Sequence, residues 1–118
     1  MNNTEIVKRY YAAMEQHDWN TKRGLMCDDL HFRGPLMQAN SADELLAGVK
    51  QFNCDVRFTD VEMVEKGDVV MSFFTFNVFK PFQGKFRMAE RIQFREGKIQ
   101  SSELLYDARQ FPEMKPNR

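Results

Sequence analysis

RMAERIQFREGKI, residues 87–99, sets Met88, Glu90, Ile92 and Phe94 on one side of an extended chain and Ala89, Arg91, Gln93 and Arg95 on the other. Period-two alternation is the mark of a strand with one buried and one wet face. The REGK that follows, residues 95–98, is the polar, glycine-bearing tip of a hairpin. Glu90 is the anomaly, because an ionised carboxylate among Met, Ile and Phe is costly without partners. The register predicts that it faces a pocket; the bland alternative is a structural buried pair.

Working outward, EKGD (65–68) and KPFQGK (80–85) are two further turns, and with REGK they divide the second half of the chain into four strands. The strands are expected over 55–64, 69–79, 86–95 and 98–110, long enough for a strongly curved antiparallel sheet. The strand at 69–79 is apolar on both faces. Val70, Phe74, Phe76 and Val78 lie on one, and Val69, Met71, Phe73 and Phe79 on the other. One layer of helices covers only one face, and exposed apolar patches of that size are uncommon on monomers. A homodimer packed sheet to sheet is therefore expected.

The first half reads as helices. Asn3 or Thr4 is expected to cap a helix with Ile6, Tyr10 and Met14 on one stripe and Val7 and Tyr11 beside it, ending near His17–Asp18. A short second helix follows, from Trp19 or Asn20 to Met26, then a brief extended piece over 30–36 stopped by Gly34–Pro35. The third helix has the clearest signal: Ser41 and Glu44 form an S-x-x-E capping box ahead of Leu45, Leu46, Val49 and Phe52. Helices followed by a meander make an α+β fold with helices on one face of the sheet. The tail from 112 to 118, with two prolines, is expected to fray.

Composition narrows the partners. In 118 residues, enough for a single domain, Lys plus Arg and Asp plus Glu number 17 each. No basic stripe exists to track a phosphate backbone, so nucleic acid is not expected. No apolar run is long enough to span a bilayer, which predicts a cytoplasmic protein without membrane contact. Cys27 and Cys54 have no CxxC or histidine spacing around them, so neither a zinc site nor a disulfide framework is expected. No cofactor motif occurs.

Taken together, RYYAAMEQHDW (9–19), CDDLHFRGP (27–35), SADELLAGVKQF (41–52) and FREGKIQSSELLYD (94–107) resemble the nuclear-transport-factor-2-like superfamily, in its SnoaL-like and ketosteroid-isomerase-like branch. The resemblance spans nearly the whole chain and implies a cystatin-like conical half-barrel, a curved sheet wrapped on a long helix around a pocket. It leaves function open, because the family holds isomerases, cyclases, dehydratases, epoxide hydrolases, non-catalytic binders and trafficking factors. Against the isomerase pattern, Tyr10 falls at the pocket tyrosine that donates to the substrate oxygen. Glu90 falls at a carboxylic acid acting beside it, an arrangement suited to a developing oxyanion. The position of the proton-abstracting aspartate is Gly34, which offers no base. The arginine and aspartate positions of the epoxide hydrolases fall on Phe74 and Phe76.

The resemblance places Met14, Phe74, Phe76, Ile92, Ser102, Leu104 and Tyr106 around a small apolar ligand, with Tyr10 and Glu90 as the chemical pair. Asp107 has a rim ion pair with Arg109 or Arg33 as its simpler reading. His17 suits a helix C-terminus, Asp28–Asp29 a solvated turn, and Trp19 an anchor for the second helix; His31 has no evident partner. Two functional classes follow. One is an isomerase- or polyketide-cyclase-like enzyme polarising a carbonyl; the other is a dimeric ligand-binding or protein-interaction module that makes and breaks no bond.

Overall fold

The computed structural model describes residues 1–112, so most of the tail expected to fray lies outside the described residues. The elements run α1 (Asn3–Gln16), α2 (Trp19–Gly24), β1 (Met26–Arg33), β2 (Gln38–Ala39), α3 (Ala42–Phe52), β3 (Asp55–Lys66), β4 (Val69–Lys80), β5 (Gly84–Arg95), β6 (Lys98–Leu105) and a 3-10 turn at Ala108–Gln110. Six strands form one sheet in the order β2-β1-β6-β5-β4-β3. The three hairpins give the antiparallel ladders β3–β4, β4–β5 and β5–β6, whereas β1 joins β6 in parallel, its chain arriving from α2. The result is a curved, unclosed α+β sheet wrapped on α1.

Local chemistry explains the ends. Asn2, one position before the expected cap, accepts the Glu5 amide at 2.9 Å, and Ser41 accepts the Glu44 amide at 3.1 Å. His17 closes α1 in the left-handed region at φ 54°, its ring nitrogen 2.9 Å from the Cys54 carbonyl oxygen and its ring stacked on Trp19. Glu96 and Gly97 both take positive φ, 52° and 77°, as a two-residue turn between right-twisted strands requires.

Three boundaries differ from expectation. The second helix stops at Gly24, and Asp28 and Asp29, read as a solvated turn, belong to β1. There they face outward onto Arg23 and Arg95 at 2.7 and 2.6 Å. The extended piece is longer than the 30–36 reading because Met26 and Leu30 are fully buried and pull it into the sheet. The last strand ends at Leu105, where Asp107 caps the 3-10 turn by accepting from the Arg109 amide.

The faces of β4 separate as its alternation implies. Phe74 is 1% exposed and Val70 and Val78 are sealed beside it, whereas Met71, Phe73 and Phe79 are each about half exposed on the convex side. In register across three strands, Phe73 faces Ala89 and Ala89 faces Leu105, and Leu105 is also exposed. The concave side and α1 enclose the core.

The sheet has two short or broken edges. β2 is two residues long, and β3, the other edge, bulges where Asp60 takes φ 52° and the pairing register shifts between Thr59 and Glu62. Glu15 of α1 reaches this edge and accepts the Phe58 amide at 2.7 Å.

Candidate functional site

Glu90 stands on the concave face of β5, 6% exposed, between Met88 and Ile92. Its ladder partners are Ser72 of β4 and Leu104 of β6. Two hydroxyls meet its carboxylate: Tyr11 of α1 donates to Oε1 at 2.7 Å, and Ser102 of β6 donates to Oε2. Charge-assisted bonds of this kind let a buried carboxylate persist.

The tyrosine on Glu90 is thus Tyr11, and not Tyr10 as expected from the sequence. Both are buried on α1, about 100° apart around the helix. Tyr10 turns toward α2, where the ammonium of Lys22 lies 3.4 Å from the centre of its ring. Lys22 is itself 4% exposed. Burial pushes its amine down to about 7, and the nearby Glu90 charge acts in the opposite direction. Burial first, and then Glu90, holds both phenols well above the ordinary tyrosine range, so each remains protonated and able to donate.

Ser72 completes the cluster. It is 3% exposed and lies near enough to Tyr11 to ease the ionisation of that phenol slightly, yet its Oγ is sealed from solvent and completes no hydrogen bond among the described residues. An orphaned buried hydroxyl is costly, and its donor is free for an acceptor that could reach it.

The other expected lining residues occupy the interior. Phe74 and Ile92 are sealed, Phe74 with ring centres 5.1 Å from both Tyr11 and Phe58. Phe76 meets Phe58 edge to face, and Met14 is buried under α1. Leu104 and Tyr106 are half-buried toward the open end of the sheet, where Phe111 packs on Tyr106, Phe82, Phe86 and Phe52. Two cavities open elsewhere. One, of about 440 Å³, lies between α1 and β3 and is lined by Lys8, Tyr11, Glu15, Phe58, Val61 and Met63 among others. The second, about 390 Å³, lies at the aromatic end beside Phe82, Phe86, Arg109 and Phe111. Neither is lined by Phe74, Phe76 or Ile92. Tyr11 belongs both to the larger cavity and to the Glu90 cluster.

Gly34 follows β1 and donates its amide to the Met37 carbonyl at 2.9 Å; a Cβ there would press on the Phe32 ring at 3.1 Å. Asp107 is paired with Arg109 at 2.9 Å, which holds its carboxyl down at about 2. Cys27 and Cys54 are free and buried, and burial pushes the Cys54 thiol up to about 11. Among the described residues no three His, Cys, Asp or Glu side chains converge as metal ligands, and no helix is long and apolar enough to cross a membrane.

The SnoaL-like domain model matches residues 7–102, which include Tyr11, Lys22, Ser72, Glu90 and Ser102. The chain belongs to the SnoaL-like family. Three solved structures show the same fold. A nuclear-transport-factor-2-like protein of Cytophaga hutchinsonii is 14% identical, with 92% of this chain and 93% of that one covered at a TM-score of 0.81. A candidate polyketide cyclase of Pseudomonas putida is 18% identical over 92% and 94%, with a TM-score of 0.82. A candidate ketosteroid isomerase of Kribbella flavida is 12% identical over 97% and 82%, with a TM-score of 0.77. No protein of curated function matches the chain. At these identities the likeness establishes the SnoaL-like fold and leaves chemistry to the site.

Lys22 and Ser72 escape sequence reading for different reasons. Ser72 had a signal, since it breaks the apolar face of β4 on the same side as Phe74. Lys22 had none beyond its place three residues after Trp19 in a polar-looking helix.

Proposed function

We propose that this SnoaL-like domain binds a small apolar carbonyl compound and polarises its oxygen with Tyr11, Ser72 and Glu90, in the manner of an isomerase or polyketide-cyclase-type enzyme. The observation that carries this reading is the buried Glu90 carboxylate shared by two hydroxyl donors, with the unpartnered Ser72 hydroxyl beside it. In the proposed complex the single Tyr11 proton turns from Glu90 Oε1 to the ligand oxygen, Ser72 donates beside it, and Glu90 keeps the bond it accepts from Ser102. Such donors, prealigned in a dry site, favour charge developing on oxygen. The 440 Å³ groove ends on the Tyr11 ring and is of a size for a small ligand. That relatives of the same fold carry cyclase and isomerase names agrees with this class.

The test is a thermal-shift screen against steroids, aromatic polyketide-like ketones and small terpenoids, with Glu90→Gln run in parallel. A ligand selective for the folded state at a hundred times its Kd adds about 2.7 kcal/mol of apparent stability. The expected result is a carbonyl compound that raises Tm in the native chain by several degrees and by much less in Glu90→Gln. Equal shifts in the two proteins would move the site away from Glu90, and no shift with any carbonyl compound would overturn the reading.

The convex face favours a second reading, a dimeric interaction module using the Phe73–Ala89–Leu105 row with Met71 and Phe79. Burying these side chains against a second copy would supply the main driving force. Sedimentation at micromolar concentration is expected to give a dimer, and Phe73→Glu a monomer. A native monomer under those conditions would exclude the sheet-to-sheet pair.

A further inference from the structure

We propose that the groove between α1 and β3 selects a planar aryl ketone that also bears a carboxylate, with Lys8 taking the carboxylate and Tyr11 the ketone oxygen; this rests on the carbonyl reading above.

One stripe of α1 gives the groove its polarity. Lys8, Tyr11, Ala12 and Glu15 follow one another at the i, i+3, i+4 and i+7 spacing of a single helix face, and all four line it. Lys8 and Glu15 are therefore about 10 Å apart along the helix axis, with Tyr11 between them. The two charges are not equally available. Glu15 Oε2 accepts the Phe58 amide at 2.7 Å, which holds that carboxylate against β3. Lys8 is exposed and forms no ion pair among the described residues. Glu65 of β3 reaches the same end of the groove, but its carboxylate takes the amide of Thr4, one turn before Lys8, at 3.2 Å. An anion laid in the groove thus meets an unpaired ammonium at one end and a carboxylate at the other, and this fixes its direction.

The walls favour a flat ligand. The rings of Tyr11 and Phe58 stack with centres 4.2 Å apart and planes within 6°, and Val61 and Met63 continue the apolar wall along β3. Ala12 adds only a methyl group to the helix face. A ligand ring packs on these groups, while its carboxylate, costly to bury unpaired, stays at the wet end with Lys8. Lys8 and Tyr11, three residues apart, have Cβ atoms about 5–6 Å from each other. The four-carbon stem of the lysine is flexible enough to meet a carboxylate placed meta or para to a ketone whose oxygen is at Tyr11. A neutral ketone uses the tyrosine alone, so the charge at Lys8 distinguishes the two kinds of ligand.

The experiment is isothermal titration calorimetry of the native chain with 3-acetylbenzoate and 4-acetylbenzoate, against acetophenone as their uncharged match. At least one of the acids is expected to bind about five-fold tighter than acetophenone, the upper end for a partly exposed ion pair. That advantage should shrink as salt is raised. Lys8→Met should bring the acid down to the affinity of acetophenone, and Lys8→Arg should restore its lead. Lys8 is exposed, and unchanged Tm values in the unliganded variants check that neither disturbs the fold. Equal affinity of the native chain for acid and ketone, or a preference for the acid that persists in Lys8→Met, would overturn the proposal, as would no binding of either acid. If acetophenone binds the native chain and not Glu90→Gln while the acids bind no tighter, this inference fails and the proposed function stands. If binding of the acid depends on Lys8 and is unchanged in Glu90→Gln, the groove's choice of an anion stands and the polarising role of the Glu90 cluster falls.

Discussion

Phe74→Ala is expected to lower unfolding stability by about 3–5 kcal/mol, the range for removing a large buried aromatic. Phe74 is sealed, and its ring touches those of Tyr11 and Phe58, which in turn stack on each other at 4.2 Å. Deleting it removes the transfer free energy of the ring, leaves a cavity between β4 and α1, and loosens the helix that carries Tyr11. Urea denaturation of the two proteins checks the value. A loss below about 1.5 kcal/mol would mean that α1 collapses onto the sheet without penalty. The variant has a second use, because a cavity beside Glu90 should admit a larger ligand than the native chain.

A steep pH dependence is expected from Lys22. In the unfolded chain its amine has an ordinary pKa, while in the folded chain burial pushes it down to about 7. Between pH 7 and the unfolded value the unfolded state therefore binds more protons, so unfolding free energy rises with pH. Below pH 7 both states are protonated and the cost of burying the ammonium is present in full. Across the whole window the contribution is on the order of 5 kcal/mol. Urea midpoints at pH 7, 8 and 9 should slope upward more steeply for the native chain than for Lys22→Met, because the Cys54 thiol, pushed up to about 11 by burial, adds the same downward slope to both. Staying at or below pH 9 keeps clear of tyrosine ionisation in the unfolded chain, which acts in the opposite sense for the raised phenols Tyr10 and Tyr11. Equal slopes in the two proteins would refute the assignment.

Much of the fold was legible because it rests on short-range rules. Period-two alternation in β4 and β5, three glycine-bearing turns and the Ser41 cap are local signals, and the hairpin ladders follow from them. The parallel joining of β1 to β6 was not legible, since it depends on where α2 delivers the chain and not on the residues of β1. At the site, alternation was enough to turn Glu90 inward. Choosing between Tyr10 and Tyr11 was beyond it: α1 is enclosed on two sides, by α2 and by the sheet, so both tyrosines sit on buried stripes and periodicity ranks them equally. Lys22 was invisible for the complementary reason. Its depth comes from the packing of α2 against α1, and lysine in a polar hexapeptide carries no pattern of its own.

The bulge at Asp60 and the hold of Glu15 on the Phe58 amide bear on how copies of this chain can grow together. A sheet with a long, flat, unpaired border recruits further strands without limit and ends in fibres. Here one border is two residues long, and the other is kinked in its middle with one of its amides already engaged by a side chain of α1. Serial addition is blocked at both ends, while the sticky surface is a face. Contacts made through a face with two-fold symmetry use themselves up after one round, so under the sheet-to-sheet pairing proposed above, crowding of this chain would end in a finite pair and not in open-ended aggregation.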